Sequence, residues 1–227
     1  MNILALESSG KIASVAILKN EAIVYEASLG GQMTHSQILL PMVEQALDAC
    51  ALKIEALDAF AVNQGPGSFT GLRIGICSAN ALAFTWNKPV IGIPALQALV
   101  ANVPFFDGWI CPLIDARNDQ VYAAAYRWTN ERMEEIVPPF AGSIHDWMEK
   151  LNSDEPLLFI GDGAIAQKAI LQARWEKARY APAHVNDFRA ASVAICAAWS
   201  APETWTHEVK PFYLRKSQAE RLREHHA

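Results

Sequence analysis

The chain has 227 residues, of which 52% are hydrophobic and 19% are charged, and its formal net charge at pH 7 is −5. This composition excludes intrinsic disorder, and no apolar run approaches the ~20 residues that a membrane span needs. The acidic balance argues against an autonomous nucleic-acid binder, whereas a hydrophobic share above the usual ~45–50% indicates a rich core or a second buried surface.

The first half of the chain predicts a mixed sheet covered by helices. Short apolar runs separated by polar turns predict strands over 3–8, 12–18 and 22–27. Apolar residues recur at helical spacing over 36–50, where Pro41 predicts either a helix start or a kink. The elements that follow are predicted as strand, helix, strand and helix over 58–63, 70–86, 90–93 and 94–103. Three strands followed by alternating helices and strands are typical of such a sheet.

The second half of the chain starts again with strands. We predict strands over 109–115, 120–128 and 157–160, and helices over 143–151, 163–174 and 190–200. The stretch 130–142 contains Pro138-Pro139 and is predicted to be a connection. A soft boundary near 103–108 divides the chain into a first lobe, 1–105, and a smaller second lobe with a C-terminal tail, 106–227.

A glycine-rich segment joins the strand over 58–63 to the next helix. Glycines in this position allow close backbone approach, and the free N–H groups of a helix N-terminus suit an anion. The spacing matches neither of the common phosphate-loop patterns, so the segment is either a structural turn or an anion-binding or nucleotide-binding loop. The candidate residues of this loop are Gly65, Gly67, Ser68, Thr70 and Gly71.

Two helices of the first half carry more apolar or small side chains than a single core needs. The stripe on the helix over 36–50 includes Ile38, Leu39, Met42, Val43 and Ala46. The helix over 70–86 carries a ridge of small residues, Gly71, Gly75, Ala79 and Ala83, flanked by Leu72, Ile76 and Asn80. These surfaces pack either on the chain's own sheet or on the helices of a partner.

Side chains that could perform catalysis are few. The six histidines are His35, His145, His184, His207, His225 and His226, and they contain no helical pair of metal ligands. There is no G-x-S-x-G nucleophile elbow, and Asp115 at a strand end is either a ligand-facing carboxylate or part of a turn. We therefore predict no metal and no required cofactor, and we expect His35 to be a cap or loop hydrogen bonder rather than a metal ligand.

The cysteines and the chain ends indicate the compartment. Cys50, Cys77, Cys111 and Cys196 are widely separated within apolar sequence and are predicted to be buried, reduced thiols. The start of the chain lacks a basic signal region, so we expect a cytoplasmic protein. The tail is either a solvated end or a weak RNA contact through Lys210, Arg215, Lys216, Arg221 and Arg223.

Taken together, these segments resemble the TsaB (YeaZ) family, which acts in tRNA threonylcarbamoyladenosine biosynthesis. The most specific match is the segment from Asn63 to Gly75, NQGPGSFTGLRIG. Supporting matches are ILALESS at 3–9, HSQILLP at 35–41, IDAR at 114–117 and PFYLR at 211–215. The resemblance implies an α/β, two-lobed fold of the actin, sugar kinase and Hsp70 ATPase (ASKHA) group, which is ribonuclease H-like with mixed sheets covered by helices.

One departure from the related transferase TsaD bears on mechanism. TsaD carries an H-x-x-x-H metal pair after the strand that matches 89–93, whereas this chain has Ala95 and Leu99 at those positions. Neither side chain can bind a metal. The usual first-strand Asp of the wider fold is also replaced, by Glu7. The resemblance thus implies a non-catalytic subunit rather than an enzyme.

The resemblance also implies partners. It predicts that the helices over 36–50 and 70–86 bind TsaD, that the same surface forms a homodimer when the chain is alone, and that the ATPase TsaE docks on the pair. tRNA is then reached only through the complex, without a membrane. We expect Gly75→Arg or Ala79→Arg to abolish association while leaving the monomer folded. The alternatives are a small-molecule kinase that uses the glycine loop and Asp115, and a glycoprotease-like peptidase.

Overall fold

The first half of the chain folds into a five-stranded sheet with helices on it. The computed structural model describes residues 1–31, 33–129, 132–151 and 154–214. Its first elements are β1 (Asn2–Glu7), β2 (Ala13–Lys19), β3 (Ala22–Leu29), α1 (His35–Ala49), β4 (Ala59–Gly65), α2 (Phe69–Trp86), β5 (Val90–Pro94) and α3 (Ala95–Val100). The sheet order is β3-β2-β1-β4-β5, with β1 antiparallel to β2 and parallel to β4. Helix α1 begins at His35 and runs through Pro41.

The second half repeats the same arrangement of strands. Its elements are β6 (Trp109–Asp115), β7 (Gln120–Thr129), β8 (Arg132–Ser143), α4 (Ile144–Met148), β9 (Leu157–Ile160), α5 (Asp162–Ala166), α6 (Lys168–Arg174), β10 (Arg179–Tyr180) and α7 (Ala190–Trp199). The sheet order is β10-β9-β6-β7-β8, with β6 antiparallel to β7 and parallel to β9. Each sheet therefore joins an antiparallel meander to parallel strands.

The interpretation of 130–142 as a connection is wrong. Most of this stretch belongs to β8, which pairs antiparallel with β7 although it contains Pro138 and Pro139. The pairing shifts register opposite the prolines, between Ala123 and Ala125. Strand β8 lies at the edge of its sheet, where the missing proline N–H groups break no inner ladder.

The first sheet is covered on both faces. Leu4, Leu6 and Val62 belong to the core beneath α1 and α2, whereas Ile3 and Ala5 belong to the core beneath α7. Helix α7 follows the second sheet in the chain and yet packs on the first. The lobe boundary near 103–108 remains a prediction. Within the described residues, no helix is both long and apolar enough to cross a membrane.

After α7 the chain runs along the first sheet as a strap, which we define as residues 205–213. Val90 at the outer edge of β5 exchanges both backbone hydrogen bonds with Thr206, at 2.7 and 3.1 Å. Farther along, the N–H of Phe212 donates to the carbonyl oxygen of Gln64 at 2.7 Å. The tail residues Arg215, Lys216, Arg221 and Arg223 lie outside the described residues.

Candidate functional site

A buried polar cluster lies where β1 and β4 end. Leu6 pairs with Val62 in the parallel ladder, so Glu7 and Asn63 end neighbouring strands. Glu7 is fully buried, and its Oε1 accepts hydrogen bonds from the backbone N–H of Ser9 at 2.5 Å and from the Ser9 hydroxyl at 2.6 Å. Its Oε2 accepts from Nδ2 of Asn63 at 2.6 Å. Both carboxylate oxygens therefore have partners inside the chain.

Burial raises the pKa of Glu7 above its usual value, and the hydrogen bonds from Ser9 and Asn63 oppose that rise. The amide of Asn63 also accepts from the backbone N–H of Gly65 at 2.9 Å through its Oδ1. The cluster thus joins the first strand to the glycine loop. It holds these segments together rather than presenting a free carboxylate to a substrate.

Two glycines of the loop lie against the chain's own backbone. A Cβ atom on Gly71 would lie 2.0 Å from the carbonyl oxygen of Ser8. Gly65 has φ +111°, a conformation that side chains disfavour, and a Cβ there would lie 2.6 Å from the carbonyl oxygen of Phe212. Contacts within the chain therefore account for both glycines.

The remaining candidates of the loop start helix α2. The Ser68 hydroxyl caps the helix by accepting from the Gly71 N–H at 3.2 Å, and the Ser68 N–H donates to the carbonyl oxygen of Ser9 at 2.9 Å. A Cβ on Gly67 would lie 2.9 Å from Cβ of Ser9. Thr70 is exposed. These contacts favour the structural turn, and anion binding here remains a prediction.

The residues predicted to bind a partner lie almost entirely in the chain's own core. Those exposed by 5% or less are Ile38, Leu39, Met42, Val43, Ala46, Leu72, Ile76, Ala79 and Ala83, and Gly75 is also buried. A Cβ on Gly75 would lie 2.5 Å from the Ser8 hydroxyl oxygen. The small residues of the ridge allow the segment after β1 to approach α2 closely. Of the two alternatives, the contacts therefore favour packing on the chain's own sheet.

The expectation that Gly75→Arg or Ala79→Arg leaves the monomer folded is therefore wrong. Both side chains would point into the core between α2 and the first sheet. Burying an unpaired guanidinium costs several kcal/mol, on the order of the whole stability of many domains. Such variants test folding and not association.

The outward sides of α1 and α2 form a different surface, which we name the α1–α2 face and define by Leu40, Glu44, Cys77, Ala81 and Phe84. The two helices contact each other. Phe84 is 88% exposed and Leu40 is 47% exposed. The sequence signal for this face is Phe84 itself, a large aromatic residue that is out of phase with the buried ridge. Cys77 is exposed, so the prediction of a buried thiol is wrong at that position.

Asn80, the last predicted contact residue, holds the strap. Its Nδ2 donates to the carbonyl oxygen of Val209 at 2.9 Å, and its Oδ1 accepts from the Val209 N–H at 3.0 Å. Near the start of α2, Tyr213 stacks on Phe69 with ring centroids 4.9 Å apart and accepts a hydrogen bond from Arg73 Nε at 3.2 Å. Helix α2 is thus tied to the strap along its side.

We expect Asn80→Ala to release the strap. The substitution leaves both backbone groups of Val209 without their partner, which costs about 1–3 kcal/mol. Amide hydrogen exchange over 205–213 is expected to speed up while exchange in β1 stays slow. Ser78→Ala on the same helix is the matched control, and equal protection of the strap in both variants would contradict this role of Asn80.

Asp115 ends strand β6, and its side chain braces the turn that follows. Its carboxylate accepts from the Arg117 N–H at 2.8 Å, and its own N–H donates to Asp162 at 2.9 Å. Within the described part of the chain, no hydrogen bond joins it to the glycine loop. In the first half of the chain, a Cβ on Gly10 would lie 2.8 Å from the Phe188 ring, so this ring covers the first hairpin turn.

The positions that correspond to the metal pair of TsaD are apolar and inaccessible. Ala95 is fully buried and Leu99 is 1% exposed, and both pack in the core shared with the second sheet. His35 is the first residue of α1, and its Nδ1 donates to the carbonyl oxygen of Ser8 at 3.0 Å, which confirms its interpretation as a cap or loop hydrogen bonder. Among the residues that the structure describes, no group of three or more His, Cys, Asp or Glu side chains could hold a metal ion.

Two mixed sheets with the same strand arrangement define the class of this protein as the two-lobed ASKHA fold. EutJ of Carboxydothermus hydrogenoformans shares this fold at a TM-score of 0.53 and 11% identity, over 86% of this chain and 90% of that chain. YeaZ from Pseudomonas aeruginosa superposes more closely, with a TM-score of 0.81 and 24% identity over 94% of this chain and 99% of that chain. The predicted fold class is confirmed.

Sequence comparison identifies the family within this class. The family model described as TsaD, tRNA N6-adenosine threonylcarbamoyltransferase, matches residues 21–222. The tRNA threonylcarbamoyladenosine biosynthesis protein TsaB of Bacillus subtilis is 32% identical over 222 residues, covering 97% of this chain and 96% of that protein. The chain belongs to the TsaB family, and its role lies in threonylcarbamoyladenosine biosynthesis for tRNA. The resemblance drawn from the sequence motifs is confirmed.

Proposed function

We propose that this chain is a non-catalytic subunit that binds TsaD and activates threonylcarbamoyl transfer to tRNA. The modified nucleoside is the adenosine beside the anticodon, and the reaction takes place in the cytoplasm. TsaE docks on the pair of subunits, and the chain alone forms a homodimer through the surface that TsaD occupies in the complex. The match of the chain to a TsaD family model supports a partner built on the same fold.

The exposure of Phe84 carries the proposal. A phenylalanine that is 88% exposed has lost almost none of its contact with water, and Leu40 on the neighbouring helix is 47% exposed. Burying such side chains contributes about 1.5–3 kcal/mol each before the cost of association. Aromatic anchors on a rigid helical surface are typical of protein interfaces. The α1–α2 face is therefore the surface that we propose for TsaD.

The packing of the inward sides of the same helices supports the choice of the α1–α2 face as the partner surface. The apolar stripe of α1 and the ridge of α2 are occupied by the first sheet, so the helices are held rigidly and only their outward sides are available. A preorganised surface loses little conformational entropy on binding. The buried residues named from the sequence thus position the proposed face without touching the partner.

Three features support the absence of catalysis in this chain. Ala95 and Leu99 offer no ligand atoms where TsaD carries histidines. Glu7 is fully buried, with both oxygens bonded to residues of the chain. The Phe188 ring covers the turn at Gly10 that follows the first strand.

We expect Phe84→Arg to abolish complex formation with TsaD, because burying an arginine in an interface without a partner for its charge costs several kcal/mol. The control is Phe105→Arg, since Phe105 is 82% exposed outside the α1–α2 face. Complex mass is measured by size exclusion with light scattering, for the mixture and for the chain alone. A Phe84→Arg variant that binds TsaD like the wild type would refute the proposed face.

A further inference from the structure

A cavity of about 920 Å³ lies at the outer edge of the first sheet, away from the α1–α2 face. Its walls come from β5, the end of α7, the start of β8 and the strap. Ligand sites commonly have volumes of ~300–1,000 Å³, so the cavity can hold a molecule of considerable size. Nothing in the proposed role as a TsaD-binding subunit uses it.

One wall of the cavity is the indole of Trp199. This side chain is 56% exposed, and its ring forms a T-shaped pair with Trp128 at a centroid distance of 5.5 Å. An indole that is more than half exposed offers a stacking surface for a planar ring, because every aromatic heterocycle has a π-face.

Two carboxamides, those of Gln64 and Gln97, also line the cavity. Among the described residues neither side-chain amide has a hydrogen-bond partner. A Cβ atom on Gly92 would lie 2.3 Å from Oε1 of Gln64, so any larger residue at position 92 would displace this amide from the cavity wall. A carboxamide presents a donor and an acceptor side by side, which matches the edge of a purine base.

The charged groups at the cavity are Arg132, Lys210 and Glu208. Within the described parts of the chain, none of the three takes part in an ion pair. Two cations against one carboxylate make the cavity positive on a chain whose formal net charge is −5. Unpaired basic side chains suit a phosphate, and a carboxylate suits the hydroxyls of a ribose.

We infer that this cavity binds a purine nucleotide. The base stacks on Trp199, the amides of Gln64 and Gln97 bind its edge, and Arg132 and Lys210 bind the phosphate. The ligand is either a free nucleotide or a nucleotide residue of a single-stranded RNA, since both present the same base, sugar and phosphate. The site differs from the glycine loop at Gly65–Gly71, which is occupied by contacts within the chain.

The test is calorimetric titration of the full chain with AMP, adenosine and hexa-adenylate. Trp199→Ala is expected to weaken AMP binding about tenfold, because a stacked base contributes ~1–3 kcal/mol. The double substitution Arg132→Ala and Lys210→Ala is expected to weaken AMP binding and to leave adenosine binding unchanged. Phe105→Ala, at an exposed aromatic residue elsewhere, is the matched control, and thermal unfolding checks that each variant is folded.

The outcomes separate the possibilities. Binding of AMP but not of hexa-adenylate identifies a free nucleotide, and tighter binding of hexa-adenylate identifies an RNA strand; both support the inference. No binding of either probe by the wild type at millimolar concentration overturns it. Loss of binding on Thr70→Ala with full binding by Trp199→Ala would move the ligand to the glycine loop and also overturns it. Complex formation with TsaD is measured independently and is not affected by these outcomes.

Discussion

Gly71→Ala is expected to lower the free energy of unfolding by about 3 kcal/mol, at the upper end of the usual cost of overpacking. The new Cβ would lie 2.0 Å from the carbonyl oxygen of Ser8, a backbone atom of the residue that directly follows the central strand β1. Helix α2 cannot move away, because Leu72 and Ile76 anchor it in the core. The gain of about 1 kcal/mol from replacing a helical glycine is smaller than this strain. Urea unfolding measures the difference, with Cys77→Ala on the exposed side of α2 as the control.

The neighbouring contact at Gly75 allows a sharper test of the same packing. A Cβ there would lie 2.5 Å from the Ser8 hydroxyl oxygen and 3.4 Å from Cγ2 of Val62. Ser8→Ala removes that oxygen and also the hydrogen bond that it donates to the Gly71 carbonyl oxygen at 2.9 Å. We expect Gly75→Ala together with Ser8→Ala to cost less than the sum of the single variants, by about 0.5 kcal/mol or more. Strictly additive costs would contradict the proposed fit.

Asn63→Ala is the second substitution with a large expected effect, about 3 kcal/mol in the free energy of unfolding. It removes the hydrogen bond to Glu7 Oε2 and the acceptor of the Gly65 N–H, and each buried group left without a partner costs ~1–3 kcal/mol. Asn63 is 1% exposed, so water cannot replace these bonds. Chemical unfolding at pH 7 measures the loss. Asn2→Ala, at the other end of the first sheet, is a control in which water can replace the lost hydrogen bonds.

The same substitution is expected to change the pH dependence of stability. Burial already raises the pKa of Glu7, and loss of the hydrogen bond from Asn63 raises it further. A carboxyl group whose folded pKa is raised contributes its full stability below the unfolded pKa of ~4.3 and loses it as the pH rises through the folded pKa. The stability difference between wild type and Asn63→Ala should therefore grow as the pH rises through the raised folded pKa of Glu7 in the wild type. Parallel pH curves would contradict this assignment.

Local sequence patterns predicted most elements of the first sheet, and they failed where long-range pairing compensates a local cost. The strands at 3–8, 12–18 and 22–27 were predictable because apolar runs and polar turns alternate. The edge strand β8 was missed because Pro138-Pro139 is unfavourable inside a sheet. Only the register shift opposite β7 makes these prolines acceptable.

The glycine loop and the small-residue ridge were recognisable from residue type and spacing, but their contact partners were not. A Gly/Ala ridge at intervals of four residues means that something approaches the helix closely, and the same spacing serves a strand of its own chain or a helix of another. In the structure the ridge packs against the chain's own first strand, because Gly71 and Gly75 contact Ser8, the residue that follows it. The proposed partner surface consequently lies on the opposite side of the same helices.

Spacing along the chain thus determines which faces of a helix or strand avoid water, because side-chain direction repeats with the local backbone geometry. The tertiary structure alone decides what meets those faces. Asn80 and Val209, or Glu7 and Asn63, are far apart in the chain and bind each other only after the sheet has formed. The cavity beside Trp199 likewise needs β5, α7, β8 and the strap together. Such contacts leave no local periodicity, since they depend on topology and not on neighbouring residues.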